Sequence, residues 1–217
     1  MLRALATALI LLAAPARGCD TALLLAIDVS GSIDSAEYDL QVGGLAEALA
    51  EAPVRNALLT GQVALAVVQW SGLREQALVL PWRRMQTPED IDAFAAATRG
   101  LQRAFGASDT AVGAALAFSA AQFAAVPDCR RRVIDISGDG PENAGFTVRR
   151  ARTEAVAQGI EINAIAIEDF GASTAISAFY RDWVISRDGF VMTARGLRDY
   201  PRAIRAKLLR ELETPVG

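Results

Sequence analysis

Largely apolar runs alternate with amphipathic helical segments along this 217-residue chain. Residues 22–28, 63–70 and 160–167 are rich in aliphatic side chains, a pattern typical of strands that are buried on both faces. Between such runs, apolar residues recur at helical spacing, and stop signals such as Pro127 and Gly159 follow them. This alternation predicts an α/β fold with one doubly wound, mostly parallel sheet.

The predicted sheet has about six strands, one of them a short antiparallel edge strand, and helices flank it. The capping-box pattern of Asp34 and Glu37 starts the first helix, and a Ser71-Gly72 turn leads into the edge strand. The predicted strands span residues 22–28, 63–70, 75–80, 132–137, 160–167 and 189–193. Two predicted helices start near Asp34 and Thr87. Four more are predicted over residues 111–125, 146–158, 174–183 and 197–212.

The first 18 residues have the organisation of a secretory signal peptide. A basic start at Arg3 precedes an apolar run over residues 4–14, and small residues follow that run. The run is too short to span a hydrocarbon core of about 30 Å, so we expect no integral membrane segment after signal cleavage. The sequence therefore predicts a signal peptide at residues 1–18, a single domain at residues 19–217, and export to the periplasm or beyond the cell.

The two cysteines leave two interpretations open. Residues 16–19 partly resemble a lipoprotein cleavage box, but they include an arginine where that box has none, so lipidation of Cys19 is the weaker alternative. Cys19 lies nine residues before Asp28, and Cys129 lies ten residues before Asp139. If the strands that end at those aspartates are parallel neighbours, both cysteines fall at the opposite end of the sheet. We therefore favour a Cys19–Cys129 disulfide, formed in an oxidising compartment.

The side-chain composition excludes several kinds of chemistry. The chain contains no histidine and only two cysteines, which removes Ser-His-Asp and Cys-His catalysis and the zinc and iron–sulfur sites built from these residues. The formal net charge is -3 at pH 7, so we expect no nucleic-acid partner. Lys207 is the only lysine. Oxygen atoms must therefore carry whatever chemistry the chain performs.

Polar residues follow the predicted strands at one edge of the sheet. Asp28, Ser30 and Ser32 form a D-x-S-x-S run after the first strand, and alternate residues of an extended turn point the same way. Thr110 precedes the central helix, and Asp139 follows the fourth strand. In doubly wound sheets, ligands bind beyond the C-terminal strand ends where the strand order reverses. Hydroxyl and carboxylate oxygens suit Mg²⁺ or Mn²⁺, and they suit Ca²⁺ less well.

This set of residues resembles the metal-ion-dependent adhesion site (MIDAS) of von Willebrand factor type A (vWA) domains. The D-x-S-x-S run, Thr110 and Asp139-Gly140 occur in the family's order, and the resemblance extends over essentially all of residues 19–217. Through the stretches LLLAIDVSGSID and RRVIDISGDGPEN, the chain looks most similar to a group of exported bacterial vWA-like proteins of unknown function.

The resemblance implies a role for each residue of the set. Ser30 and Ser32 would bind the metal through their hydroxyls, and Thr110 would bind it directly or through water. Asp28 and Asp139 would act through bound waters or through hydrogen bonds to the serines. One coordination position would stay open for a Glu or Asp carboxylate of a partner protein, since an ion that neither aspartate binds directly stays electrophilic.

Three further residues are candidates near these loops. Residues 105–109 depart from the glycine-rich segment that usually precedes the family's threonine, so Ser108 replaces Thr110 as the ligand if the loop register differs. Glu142 and Asn143 lie in the loop after the fourth strand, where they are candidates to support the metal ligands from behind.

The sequence therefore predicts an exported, metal-dependent protein-binding module for adhesion or assembly, without enzymatic activity. One alternative is a Mg²⁺-dependent phosphohydrolase with Asp28 as its nucleophile. Against that alternative, Ser30 stands where such enzymes usually carry a second acid, and Lys207 lies in the last predicted helix. A second alternative is a vWA scaffold that assembles subunits without using the metal.

Overall fold

A six-stranded sheet forms the middle layer of the protein in the computed structural model, which describes residues 18–106, 109–168 and 175–212. Its strands are β1 (Thr21–Asp28), β2 (Ala64–Trp70), β3 (Gln76–Arg84), β4 (Arg131–Gly138), β5 (Ile160–Glu168) and β6 (Val191–Arg195). They lie in the order β3-β2-β1-β4-β5-β6, in which β3 is antiparallel to β2 and the other neighbouring pairs are parallel. The predicted fold class is confirmed.

Helices cover both faces of this sheet. They are α1 (Ser35–Ala50), α2 (Ala52–Thr60), α3 (Pro88–Arg99), α4 (Val112–Gln122), α5 (Val148–Ala157), α6 (Ile176–Phe179) and α7 (Tyr200–Leu212). Helices α1, α2, α3 and α7 form one core with the sheet, and α4, α5 and α6 form the other. Every residue of β1 is buried because its side chains alternate between these two cores. Within the ranges given above, no helix is both long enough and apolar enough to cross a membrane.

The strand order reverses between β1 and β4. The chain places β2 on one side of β1 and β4 on the other, so the carboxyl ends of β1 and β4 border the crevice where ligands bind in sheets of this kind. Asp28 ends β1 and Gly138 ends β4. The loops that follow these two residues are therefore neighbours.

The predicted disulfide lies at the opposite, amino edge of the sheet. Cys19 and Cys129 are bonded, with an S–S distance of 2.08 Å and Cα atoms 4.4 Å apart. Each cysteine shortly precedes its strand, and Thr21 is paired with Arg131 in the parallel register of β1 and β4. The prediction of this disulfide is confirmed, and the bridge joins the two strands whose far ends carry the candidate site.

The edge strand is longer than the sequence predicts. β3 extends to Arg84, whereas the predicted strand ends at residue 80. Its register with β2 shifts near Pro81, between the pairs Val67↔Leu80 and Leu65↔Arg83. Proline has no N–H to donate, but an edge strand with a bulge tolerates it. The predicted short strand is therefore wrong in length and right in position and direction.

Several helices also differ from the predicted ones. Helix α2 is not predicted, because no glycine separates it from α1 and only Pro53 in its first turn marks the new start. Helix α5 begins at Val148, since Phe146 has a positive φ of 50°. The helix predicted over residues 174–183 is a four-residue helix that continues as a π-helical turn over Tyr180–Val184, and residue 174 lies outside the described part.

A buried charge network joins β4, β5 and α7. The only lysine, Lys207, is fully buried, and its Nζ lies 2.8 Å from Asp135 Oδ1 and also pairs with Glu211. Asn163 Nδ2 on β5 donates to Glu211 Oε2 at 3.0 Å. Burial raises the pKa of Asp135 to about 6, against the opposing effect of the Lys207 charge. Asp135 therefore holds α7 against the sheet through an ion pair inside the core.

Candidate metal centre

The loop after β1 arranges three oxygen-bearing side chains around a tight turn. Asp28 Oδ1 accepts a hydrogen bond from the backbone N–H of Ser30 at 2.8 Å, and the N–H of Ile33 donates to the carbonyl of Ser30 at 3.1 Å. The hydroxyl oxygens of Ser30 and Ser32 lie 3.3 Å apart. Asp28 and Ser30 are fully buried, whereas Ser32 is exposed. The D-x-S-x-S run therefore leads from the core to the surface.

Asp139 lies beside this loop. The Ser32 hydroxyl donates to Asp139 Oδ1 at 2.8 Å. Asp139 follows Gly138, and a Cβ atom added to Gly138 would lie 3.0 Å from Asp28 Oδ2, so the end of β4 passes close to the buried carboxylate. The structure thus brings together four of the five predicted ligands, which are Asp28, Ser30, Ser32 and Asp139.

Thr110 is buried in the segment that leads into α4. Its backbone N–H donates to Asn143 Oδ1 at 2.8 Å, and its carbonyl accepts from the N–H of Asn143 at 3.0 Å. This pair of hydrogen bonds ties Thr110 to the loop that also carries Asp139. The alternative ligand, Ser108, lies outside the described residues.

Glu142 connects the first turns of two helices. Its Oε1 accepts from the N–H of Gly113 in α4 at 2.8 Å, and its Oε2 accepts from the N–H of Val148 in α5 at 3.2 Å. A carboxylate at a helix N-terminus is stabilised by the free amide donors and by the helix dipole. Glu142 and Asn143 therefore fix the two loops behind the candidate ligands.

Arg103 belongs to the site although no sequence pattern singles it out. Its guanidinium donates to the carbonyl of Val29 at 2.7 Å and to the carbonyl of Ser30 at 2.6 Å. These bonds fix the backbone of the loop that carries the serines. Arg103 lies in an irregular segment after α3, and it is one of 22 basic residues with no distinctive spacing. Only the folded structure reveals it.

The carboxylate of Asp28 is incompletely satisfied. Its Oδ2 and the hydroxyl of Tyr180 are buried without a hydrogen-bond partner among the described residues. Burial, and after it the charge of Asp139, raises the pKa of Asp28 to about 7. Burial also raises the pKa of Tyr180 well above its ordinary value, and the charges of both aspartates add to that shift. A buried carboxylate oxygen without a donor is destabilising, so this position favours an added cation.

The donor set fits a hard divalent cation. Hydroxyl and carboxylate oxygens are the ligands that Mg²⁺ and Mn²⁺ prefer, and a cation here would relieve the repulsion between Asp28 and Asp139. No cluster of three or more Asp, Glu, Cys or His side chains suited to a metal occurs in the part of the chain that is described. Metal binding at this site therefore depends on the hydroxyls of Ser30 and Ser32 as well as on the carboxylates.

Solved structures share this fold. Proximal thread matrix protein 1 from the mussel byssus matches with a TM-score of 0.68 at 18% identity, over 91% of this chain and 49% of that one. A second structure of the mussel protein, described as having a zinc-occupied MIDAS motif, matches with a TM-score of 0.67 at 19% identity and the same coverage. A von Willebrand factor type A protein from Catenulispora acidiphila matches with a TM-score of 0.62 at 17% identity, over 89% of this chain and 43% of that one.

The chain spans about half the length of the mussel protein. At these identities the similarity shows the fold, which is that of a vWA domain. No curated protein sequence matches the chain. The family described as "Protein of unknown function (DUF1194)" matches residues 18–216, nearly the whole sequence. The chain therefore belongs to this family, and it has the vWA fold.

Proposed function

We propose that this chain is an exported, metal-dependent protein-binding module. The observation that carries the proposal is the oxygen cluster of Asp28, Ser30, Ser32 and Asp139, which lies where the strand order reverses. One oxygen of the cluster, Asp28 Oδ2, is buried without a hydrogen-bond partner among the residues described. A divalent cation accounts for both features, because it binds oxygen atoms and relieves the repulsion between the carboxylates of Asp28 and Asp139.

Each residue of the cluster has a proposed role. Ser30 and Ser32 bind the cation through their hydroxyls, and Thr110 binds it directly or through water. Asp28 and Asp139 act through water and through their hydrogen bonds to the Ser30 backbone and the Ser32 hydroxyl. Mg²⁺ and Mn²⁺ are the proposed ions, and the zinc in the MIDAS of the mussel protein supports a divalent metal at this position of the fold.

A partner protein completes the proposed coordination with a Glu or Asp carboxylate. The bound metal would supply an electrophilic centre for that anion, since the ligands that bind it directly in this proposal are neutral hydroxyls. Ser32 is exposed and Asp139 is half-buried, so this side of the cluster is accessible from solvent. The buried Asp28 would contribute its negative charge without occupying the open position.

Export of the chain is also part of the proposal, with residues 1–18 as a signal peptide and residues 19–217 as one vWA-like domain. The Cys19–Cys129 disulfide supports an oxidising compartment. It also argues against the lipoprotein alternative, because a thioether-linked lipid needs the Cys19 sulfur that the disulfide occupies. We therefore propose a periplasmic or secreted location without a lipid anchor.

A binding role fits the side chains better than phosphohydrolase chemistry with Asp28 as the nucleophile. The only lysine is buried in the core against Asp135 and Glu211, where it does not reach a bound phosphate. Asp28 is itself fully buried, and its Oδ1 is held by the N–H of Ser30. A scaffold that does not use the metal remains the second candidate, and the following experiment separates it from the first.

A random peptide library displayed on phage tests the proposed function directly. We expect peptides captured in Mg²⁺ and eluted with EDTA to be enriched in Asp or Glu. Replacement of that acid by its amide, or Asp139→Ala in the protein, is expected to weaken binding about 30-fold or more, as for loss of a charged contact of about 2 kcal/mol. Asp188→Ala, an exposed acid before β6, is the matched control and should bind normally.

Two outcomes contradict the proposal. Peptides that stay bound in EDTA would show that the metal plays no part in recognition. Equal binding by the wild-type protein and by Asp139→Ala would show that the oxygen cluster is not the binding site, which favours the metal-independent scaffold.

A further inference from the structure

Two exposed apolar side chains lie together beside the candidate metal centre. Leu73 and Phe146 are 54% and 80% exposed, the two highest values among the large hydrophobic residues that the structure describes as exposed. They come from different loops, and Leu73 lies against the residue that precedes Phe146, since a Cβ atom on Gly145 would lie 2.5 Å from Leu73 Cδ2. Leu73 therefore packs on the backbone next to Phe146, and we call this pair the Leu73–Phe146 patch.

Both loops of the patch are bonded to the segment around Thr110. The Ser71 hydroxyl donates to the carbonyl of Asp109 at 3.1 Å, and the N–H of Ala111 donates to the carbonyl of Ser71 at 2.9 Å. From the other loop, Asn143 makes its two hydrogen bonds to Thr110. The patch is therefore held at a fixed position next to the proposed ligands.

A hydrogen-bonded turn carries Leu73, and a segment of left-handed backbone carries Phe146. Glu75 Oε2 accepts from the N–H of Gly72 at 3.1 Å, and the N–H of Ser71 donates to the Glu75 carbonyl at 2.9 Å, which closes a tight turn with Leu73 at its tip. In the other loop, Gly145 and Phe146 have consecutive positive φ values of 86° and 50°. A left-handed backbone at a phenylalanine is unfavourable, and such strain is usually retained at functional positions.

Two arginines are close to the patch in the sequence, and the Glu75 carboxylate and the Cβ of Asp109 lie near Gly72 beside Leu73. Arg74 follows Leu73 in the turn, and Arg149 follows Phe146 in the first turn of α5; both side chains are exposed. The guanidinium of Arg149 lies 4.8 Å from the ring centroid of Trp183, itself partly exposed. A divalent cation at the neighbouring centre favours a partner segment that is acidic close to its apolar contact.

We infer that the partner segment carries a large apolar side chain within a few residues of its metal-binding carboxylate, and that this side chain docks on the Leu73–Phe146 patch. The inference rests on the proposed function, because it describes the partner of the same site. Aromatic side chains, phenylalanine among them, are enriched at the cores of protein interfaces, and contiguous exposed apolar surface marks such interfaces. The carboxylate supplies metal dependence, and the apolar side chain supplies selectivity among acidic segments.

The same phage library tests this inference with the full chain and a double variant, Leu73→Ser with Phe146→Ser. We expect peptides selected on the wild-type protein to combine an acid with a nearby Phe, Leu, Ile, Met or Trp. A synthetic peptide from that pool should bind the double variant at least about tenfold more weakly, while its binding to both proteins is still abolished by EDTA. Val156→Ser, an exposed apolar residue near the end of α5, is the matched control and should leave affinity unchanged.

The outcomes distinguish the inference from the proposed function. The inference is overturned if the EDTA-eluted peptides are acidic but not enriched in apolar residues. It is also overturned if a peptide binds the double variant and the wild-type protein with equal affinity. Both outcomes leave the proposed function intact. A selection that yields no EDTA-eluted acidic peptide overturns both. The single variant Phe146→Ser, with its unfolding midpoint measured beside the wild-type protein, separates loss of the contact from loss of the fold.

Discussion

Replacement of Lys207 by methionine is expected to lower the free energy of unfolding by about 3–5 kcal/mol at pH 8. Methionine retains most of the side-chain volume and removes the charge, so the change isolates the ion pairs. The variant leaves Asp135 buried without its cation. Glu211 retains its hydrogen bond from Asn163, so the loss of stability comes mainly from the unpaired charge of Asp135. Urea unfolding followed by circular dichroism measures the effect.

Two variants control this experiment. Lys207→Met combined with Asp135→Asn should recover a large part of the loss, because the uncompensated charge is then absent. Arg150→Met removes a cation from an exposed pair with Glu154, and we expect it to change the free energy of unfolding by less than about 0.5 kcal/mol. A loss below about 1 kcal/mol in Lys207→Met would contradict the structural role of the network.

The free energy of unfolding in EDTA is expected to fall as the pH rises from 5 to 8. Burial and the charge of Asp139 raise the pKa of Asp28 from 3.8 to about 7. The folded state therefore binds a proton that the unfolded state has already released, and this stabilising contribution is lost as the pH rises through 7. The loss is about 4 kcal/mol in total, and most of it falls between pH 5 and pH 8.

The variant Asp28→Asn isolates this contribution. Asp135, whose pKa is raised to about 6, also makes the free energy of unfolding fall as the pH rises. The relevant quantity is therefore the difference in the free energy of unfolding between the wild-type protein and Asp28→Asn at each pH. That difference should shrink in millimolar Mg²⁺ or Mn²⁺, because a cation stabilises the ionised carboxylate. Parallel pH profiles for the two proteins in EDTA would contradict the electrostatic account of the site.

Much of the fold is predictable from the sequence because the central strands are buried on both faces. The apolar run that includes Leu23 and Leu24 supplies side chains to both cores, so it carries no polar alternation and is easily recognised. The disulfide is predictable for a related reason. Parallel neighbours of similar length bring Cys19 and Cys129 to one edge and Asp28 and Gly138 to the other.

The features that the sequence does not reveal depend on contacts between distant residues. Arg103 reaches the carbonyls of Val29 and Ser30 from a segment 73–74 positions away, and no local pattern encodes that contact. The pairing of Asp135 with Lys207 likewise requires α7 to pack on the sheet. The length of β3 depends on a bulge opposite β2 at Pro81, a residue that in isolation predicts the end of a strand.

The candidate site likewise contains residues that the sequence predicts and residues whose role only the structure reveals. The motif residues are local and ordered along the chain, so their types and sequence order are sufficient to nominate them. Their support is non-local, since Glu142 binds amides of two helices and Asn143 binds the backbone of Thr110. The partnerless oxygen of Asp28, which argues most strongly for a cation, becomes visible only when the burial of each atom is known.

Thermal unfolding of the purified protein in EDTA, Mg²⁺, Mn²⁺ and Ca²⁺, beside Asp139→Ala and the control Asp188→Ala, tests the central claim most directly. A cation at 100 times its dissociation constant should stabilise the wild-type protein and Asp188→Ala by about 2.7 kcal/mol. The stabilisation should be absent in Asp139→Ala, with Mg²⁺ or Mn²⁺ more effective than Ca²⁺. Identical unfolding in EDTA and in every cation, or an equal shift in Asp139→Ala, would contradict a metal centre at this site.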